Sequence, residues 1–267
     1  MPSLRRLTTA FAVFLVFVSW GVAMEPWLAA EAAERAKAPA GPMVPVLEEF
    51  DGAHANGTWE IHQYQGTFEY QVKPDAMVMV DQRNANQHLT RRGFQLDPQR
   101  PYAVEARFTI HERTAQRPPD SFCLNFHVAG PEDSFDSISC WSMNVDVAPK
   151  QGAGGVMKHM GFVDGRFRQI GQRKVAWATT GVEYRLRVEV NLDQSGRFKP
   201  NLLTVTVMEG DQTRERFEVD CSSFPYQPDP SGPVRVGVNT HGADWTMRDF
   251  KVYAEASSAV EKQEKSS

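Results

Sequence analysis

From Trp59 to Tyr253, apolar and polar residues alternate at period two, and no long stretch carries a helical period. Such alternation turns one face of each strand toward a core and leaves the other for solvent or a ligand. The clearest stripe is Tyr102, Val104, Ala106, Phe108 and Ile110, with Glu105, Arg107, Thr109 and His111 between them. Phe122, Leu124, Phe126 and Val128 repeat it, then Trp141, Met143, Val145 and Val147, then Tyr184, Leu186, Val188 and Val190. Leu203, Val205 and Val207 follow, then Phe217 and Val219, and Val234, Val236 and Val238 open a last pair that closes with Phe250 and Val252. Near the start, residues 59–64 and 67–72 read as a hairpin turning at Gln65-Gly66, followed by a short strand over 77–81. Strands joined by short polar turns, without intervening helices, predict antiparallel pairing. Two sheets stacked face to face bury all of these stripes, so the expected fold is an all-β, antiparallel two-sheet β-sandwich, a jelly roll.

The ends of the chain break this rhythm. Arg5 and Arg6 precede a chargeless, Phe/Val/Leu-rich run from Leu7 to Met24, the layout of a secretory signal, with small-residue cleavage candidates at Gly21-Val22-Ala23 and Ala30-Glu31-Ala32. An uncleaved anchor is the alternative, because the run is at the lower edge of a bilayer span. We therefore expect residues 1–32 to be a signal peptide, 33–45 an Ala/Pro-rich linker, 46–255 one domain and 256–267 a polar tail. The expected location is secreted or periplasmic, with no stable membrane span after cleavage.

Composition narrows the partners. The formal net charge is −4 and aromatic content is ordinary, so whole-chain charge points to neither nucleic acid nor a membrane surface. Three cysteines without a C-x-x-C pair make neither a disulfide framework nor a zinc site. A cross-strand Cys123–Cys140 disulfide and separate free thiols both remain open. No His-Glu-x-x-His occurs, so catalytic zinc has no support.

The opening Glu49-Phe50-Asp51-Gly52, the early Trp59, the central hairpins and the ending VRVGVNTHGADWTMRDFKVYA resemble the concanavalin A-like lectin and glucanase superfamily in its laminin G-like form. The resemblance covers roughly residues 46–255 and implies a jelly roll whose concave outer face receives glycans. Laminarinase-type members carry Glu-x-Asp-x-x-Glu on one strand. Here the corresponding strand, residues 137–147, offers only Asp146. A carbohydrate-binding module is therefore the expected function. A glycan-acting hydrolase or lyase of the same fold and a laminin G-like protein-interaction module are the alternatives.

Candidate ligand residues follow from the outward phase of the central hairpin. If Phe122, Leu124, Phe126, Trp141, Met143 and Val145 face the core, then Cys123, Asn125, His127, Cys140, Ser142, Asn144 and Asp146 face outward. Asn125, His127, Ser142, Asn144 and Asp146 supply the donors and acceptors that sugar hydroxyls need. Asn239 and His241 join them if their strand lies in the same sheet. A basic run, Lys150, Lys158, Arg166, Arg168, Arg173 and Lys174 with His159, opposes a lone Asp164. It is either the solvated side of a hairpin or a surface for an anionic oligosaccharide or polysaccharide, with His159 and Arg168 as candidate contacts. Trp141 and Trp245 fall in the buried phase and are expected in the core. No cofactor is implied except a structural calcium at Asp51 and Asp249, near chain ends that meet in such folds. Asn56-Gly57-Thr58 matches the glycosylation sequon.

Overall fold

The computed structural model describes residues 41–82, 86–111, 120–130, 138–147, 154–164, 166–255 and 259–261. The expected signal peptide and most of the expected linker lie outside these residues, as does Lys150. Among the described residues no helix is long and apolar enough to cross a membrane.

Every described element is a strand. In chain order they are β1 (Met43–Glu49), β2 (Trp59–Gln65), β3 (Phe68–Lys73), β4 (Ala76–Asp81), β5 (Asn86–Arg91), β6 (Phe94–Leu96), β7 (Tyr102–Ile110) and β8 (Asp120–Ala129). There follow β9 (Ser139–Val147), β10 (Gly155–Val163), β11 (Arg166–Val175), β12 (Glu183–Leu192), β13 (Phe198–Glu209), β14 (Gln212–Asp220), β15 (Arg235–His241), β16 (Trp245–Glu255) and β17 (Ala259–Glu261). One sheet runs β14-β13-β12-β7-β16-β4-β3, with β1 also paired to β16, and the other runs β11-β10-β9-β8-β15-β5-β2. We call them sheet 1 and sheet 2.

The period-two stripes form the layer between the sheets. Phe108 of sheet 1 stacks on Phe122 of sheet 2 at 4.3 Å between centroids, and Trp245 meets Phe122 edge-on at 5.3 Å. Trp141 and Trp245 are fully buried, as their phase requires. Trp59, Phe50 and Phe250 make a second aromatic group where β1 and β2 leave their sheets. There the Glu49 carboxylate accepts from Trp59 Nε1 at 2.7 Å, Gly57 N at 2.9 Å and Arg91 Nε at 2.5 Å. A buried carboxylate with three donors is stable because its charge is paired and its lone pairs are filled.

The structure departs from the sequence reading in three places. Strands β2 and β3 are not a hairpin: β2 pairs with β5 in sheet 2 and β3 with β4 in sheet 1. The Gln65-Gly66 turn carries the chain across the sandwich, because a turn signal reports a reversal and not which sheet each arm joins. Strand β1 begins at Met43, so the last residues expected to be linker already pair with β16. In the expected tail, Ala259–Glu261 pair with β6.

Candidate functional site

Strand β15 settles which residues share the outer face of sheet 2, because it pairs with β8 on one side and β5 on the other. Following direct register across the sheet gives one row of His62, His88, Asn239, Cys123, Asn144 and Lys158. The adjacent row toward one end is His241, Ser121 and Asp146, and toward the other it is Thr90, Gly237, Asn125, Ser142, Met160 and Gln169. Asn239 and His241 therefore join the face of the central hairpin.

This outer face is not a solvated one. All nine residues of β9 are buried, including the outward Ser142, Asn144 and Asp146. A small apolar group of Val128, Ile138, Cys140, Met160 and Phe162 covers one part of it. Under Phe162, whose ring meets His88 edge-on at 4.5 Å, lies a buried polar network. Asn125 Nδ2 is 2.9 Å from His88 Nδ1, and Asn239 Nδ2 is 2.9 Å from His88 Nε2. Burial, reinforced by nearby His62, lowers the His88 pKa to about 3, so the ring is neutral. A neutral imidazole has one N–H and one lone pair. One asparagine therefore donates to it and the other, its amide turned over, accepts from it. Asn125 and His88 flank β15, and they meet across Gly237, where a Cβ would collide with the Leu89 carbonyl. His62 Nε2 and Thr90 Oγ1 continue the network at 3.0 Å.

Beside this sealed region the face opens into a cleft of about 390 Å³. Its polar lining is Ser121, Cys123, Asn144, Asp146, Lys158, Gln169, Asn239 and His241, and its apolar wall is Met160, Phe162 and Phe167. Phe167 is 52% exposed at the rim. Asp146 is ion-paired with Lys158. Burial raises the Asp146 pKa, and the hydrogen bond and charge of Lys158, then His241, oppose that rise. The Asn144 Oδ1 accepts from Ser142 Oγ at 2.9 Å, which holds the amide in place. Cys123 is a buried free thiol, its pKa raised chiefly by desolvation. It pairs in register with Asn144, four residues along β9 from Cys140, and all three cysteines are free.

The candidate residues thus separate. Asn144, Asp146 and His241 line the cleft. Asn125 and Ser142 are in phase with it but fully buried, serving His88 and Asn144. His127 is a correction: it lies at a β-bulge between Phe126 and Ala129 with φ +49°, and the extra residue turns its ring into the core. There it meets Trp141 edge-on at 4.4 Å, and its backbone N–H donates to Tyr102 Oη at 3.1 Å. His159 and Arg168 are corrections of the same kind. His159 pairs with Met143, and Arg168 with Gly161 beside Trp141, so both lie on the face of the sheet opposite the cleft. His159 packs over Gly171 and stacks on Phe224 at 6.0 Å. Lys158, named in the sequence only as a member of the basic run, takes their place together with Gln169 and Phe167, which the sequence reading did not single out. Their signal was the phase of the β10–β11 hairpin, which a bulge after His159 reverses along β11.

The two residues expected to hold calcium are each engaged by protein partners. Asp249 is ion-paired with Arg107, and the Asp51 carboxylate accepts from Ala53 N and His54 N at 2.9 Å and contacts His54 Nδ1 at 2.7 Å. These bonds hold the Asp51 pKa well below the usual carboxylate range. Among the described residues, the potential metal donors within 4.8 Å of one another are Glu48, Asp51 and His54, and Glu48 is already bonded by Lys251 Nζ at 2.7 Å. A calcium ion takes six to eight oxygen ligands, and this group does not fit it. In the sequon, Asn56 accepts from Phe50 N at 2.8 Å and donates to Lys73 O at 2.7 Å, which gives it a structural role.

No protein-family model matches the chain, and no curated protein matches it. Solved structures do match in fold. A Bacillus subtilis protein of unknown function with a galectin-like fold superposes with a TM-score of 0.53 at 10% identity, covering 82% of this chain and 98% of that one. The VIP36 exoplasmic/lumenal domain in its Ca2+/Man2-bound form gives 0.50 at 12% identity over 82% and 90%, and its Ca2+-bound form gives 0.50 at 11% over 81% and 92%. The chain shares the two-sheet antiparallel β-sandwich of these domains, and at these identities the likeness is one of fold alone.

Proposed function

We propose that this protein is an extracytoplasmic carbohydrate-binding module whose ligand occupies the cleft on the outer face of sheet 2. One observation carries the reading: among the described residues, the buried polar face of sheet 2 opens into a cleft where amide, carboxylate, ammonium and imidazole groups surround a cavity with an aromatic edge. The volume lies within the roughly 300–1,000 Å³ of small-molecule sites. Asn144 and Asp146 are held by Ser142 and Lys158 before any ligand arrives, which lowers the ordering cost of binding. Phe167 supplies a face for the apolar side of a sugar ring. The fold neighbour VIP36 is known with Man2 bound, and a sugar ligand here agrees with that precedent.

A hydrolase needs a second carboxyl group roughly 5–10 Å from the first. Among the described lining residues Asp146 is the sole carboxylate, so binding is better supported than hydrolysis. An anionic glycan fits the other side of the β10–β11 hairpin, where Arg166, Arg168 and Arg173 share a phase, better than it fits the cleft. VIP36 is known in Ca2+-bound form. In this chain Asp51 must release His54 to take a cation, so adding chelator is expected to leave the melting temperature nearly unchanged.

The test is an immobilised panel of neutral and acidic oligosaccharides, with retention compared between the wild type and Asn144→Ala. Retention of the wild type and its loss in the variant supports the cleft. A folded wild type that no glycan retains, and that binds a protein partner instead, overturns the reading in favour of a laminin G-like interaction module.

A further inference from the structure

The buried network beside the cleft holds two amides whose directions are set by the place of a single proton. His88 meets Asn125 at Nδ1 and Asn239 at Nε2, each at 2.9 Å. Each amide spends one polar atom on the ring and leaves the other buried and, among the described residues, without a partner. A neutral imidazole donates from one nitrogen and accepts at the other. The nitrogen that carries the proton therefore fixes which way both amides face. Asn239 is only 2% exposed and yet lines the cleft, so its leftover atom is either an acceptor or a donor beside the ligand space.

Ser142 selects between the two states. It stands directly opposite Asn125 across β8 and β9, and its hydroxyl proton is committed to Asn144 Oδ1. Toward Asn125 it has lone pairs to offer, which suits an amide N–H on that side and disfavours an amide oxygen. Asn125 then turns its oxygen to His88, which carries its proton on Nδ1, and His88 Nε2 accepts from Asn239 Nδ2. The Asn239 oxygen is the atom left over. Asn144 is in the complementary state, because Ser142 occupies its Oδ1 and its Nδ2 is the donor that remains. Asn239 and Asn144 flank Cys123 in direct register, so their Cα atoms lie two strand spacings, about 10 Å, apart with a short and fully buried side chain between them. A hydroxyl group both donates and accepts, and it fits between an amide oxygen on one side and an amide N–H on the other.

Given a glycan in the cleft, as proposed above, we infer that one of its hydroxyl groups is held between Asn239 Oδ1 and Asn144 Nδ2, and that His88 is the positioning residue whose Nδ1–H tautomer presents the Asn239 oxygen. Asn239 thereby becomes a ligand residue, and His88 acts on the ligand without touching it.

Proton–nitrogen correlation spectra of the imidazole rings in the free, full-length protein read the tautomer without any glycan. The His88 proton is expected on Nδ1, and a proton on Nε2 overturns the positioning role. Titration calorimetry then compares the oligosaccharide that the panel retains best with its monodeoxy and monofluoro analogues. At one hydroxyl position both analogues are expected to lose about tenfold or more in affinity, because fluorine accepts from Asn144 but has no proton for the Asn239 oxygen. In Asn239→Ala, checked by its circular dichroism melt, the parent and the deoxy analogue at that position are expected to bind with nearly equal affinity. If that variant does not fold, the fluoro series on the wild type decides alone. Fluoro analogues that bind like the parent at every position sensitive to deoxygenation overturn the inference. A protein that no glycan retains overturns the reading of the cleft and this hydroxyl site with it, whereas a retained glycan whose analogues all bind alike overturns the hydroxyl site only.

Discussion

The outer faces of the two sheets have opposite characters. On sheet 1, strands β7 and β12 alternate between buried and half-exposed positions, and their outward residues form ion pairs open to water. Arg187 reaches Glu105 at 3.4 Å and Glu189 at 3.2 Å and lies over the Tyr253 ring, and Arg107 reaches Glu183 at 3.6 Å. On the central strands of sheet 2, β5, β8 and β9, the described outward residues are small, uncharged or paired, and buried. Amides and imidazoles bond to one another under Phe162, and a cleft opens where the cover ends. The same strand geometry thus yields a solvated surface on one side and a preorganised polar interior on the other. Desolvation is what separates them, because it makes each missing partner costly on sheet 2 and cheap on sheet 1.

Substitutions and pH can break that contrast. The largest effect is expected from His88→Leu, which leaves Asn125 and Asn239 buried without their shared partner. The loss should be about 2–6 kcal/mol in chemical denaturation, from two orphaned amides at roughly 1–3 kcal/mol each. Lys158→Met comes next. It strands the Asp146 carboxylate in the cleft at an expected cost of about 2–4 kcal/mol near neutral pH, somewhat under the figure for fully buried pairs because Lys158 keeps some solvent. That loss should shrink on acidification, since burial already raises the Asp146 pKa and the protonated acid needs no cation.

The pH dependence of the wild type is the third expectation. His88 and His127 are both held near pKa 3 by burial, against 6.5 when unfolded. Between these values the unfolded chain binds more protons than the folded one, so stability is full above about pH 6.5 and falls as pH drops. Denaturation between about pH 6.5 and 5, above the range where carboxylates titrate, should lose roughly 1–3 kcal/mol per unit. Stability flat across that window would mean the two rings are not buried neutral. The smallest effect should be that of Arg187→Met on sheet 1, under about 1 kcal/mol and weaker still in high salt. A cost as large as that of Lys158→Met would erase the distinction between the two faces.

The fold was largely legible because period two is a direct record of one-sided burial. The stripes on β7, β9, β12, β15 and β16 face the core, Trp141 and Trp245 among them, and so does that on β8 as far as Phe126, whereas Val128, past the bulge, joins the small apolar group on the outer face instead of the core expected of it. Sheet membership was less legible: β2 and β3 share a turn yet sit in different sheets. The site was legible in part. Alternation put Asn144 and Asp146 on the face that opens into the cleft, and pairing of β15 with β8 added His241. Alternation failed at His127 because a single bulge residue inverts the phase, and composition alone does not mark a bulge. It failed for His159 and Arg168 because a basic run says nothing about which side of its hairpin each charge takes. The row through His62, His88 and Asn239 was invisible, since it exists only once β2, β5 and β15 lie side by side.

The central claim is that ligand enters the cleft of sheet 2, and backbone amide chemical shifts recorded with the best-retained glycan of the panel test it most directly. The account predicts perturbations on three neighbouring strands, around Ser121–Cys123, Asn144–Asp146 and Asn239–His241, with the outer residues of β7 and β12 unmoved. Perturbations confined to β11 around Arg166 and Arg168, or to sheet 1, would contradict it.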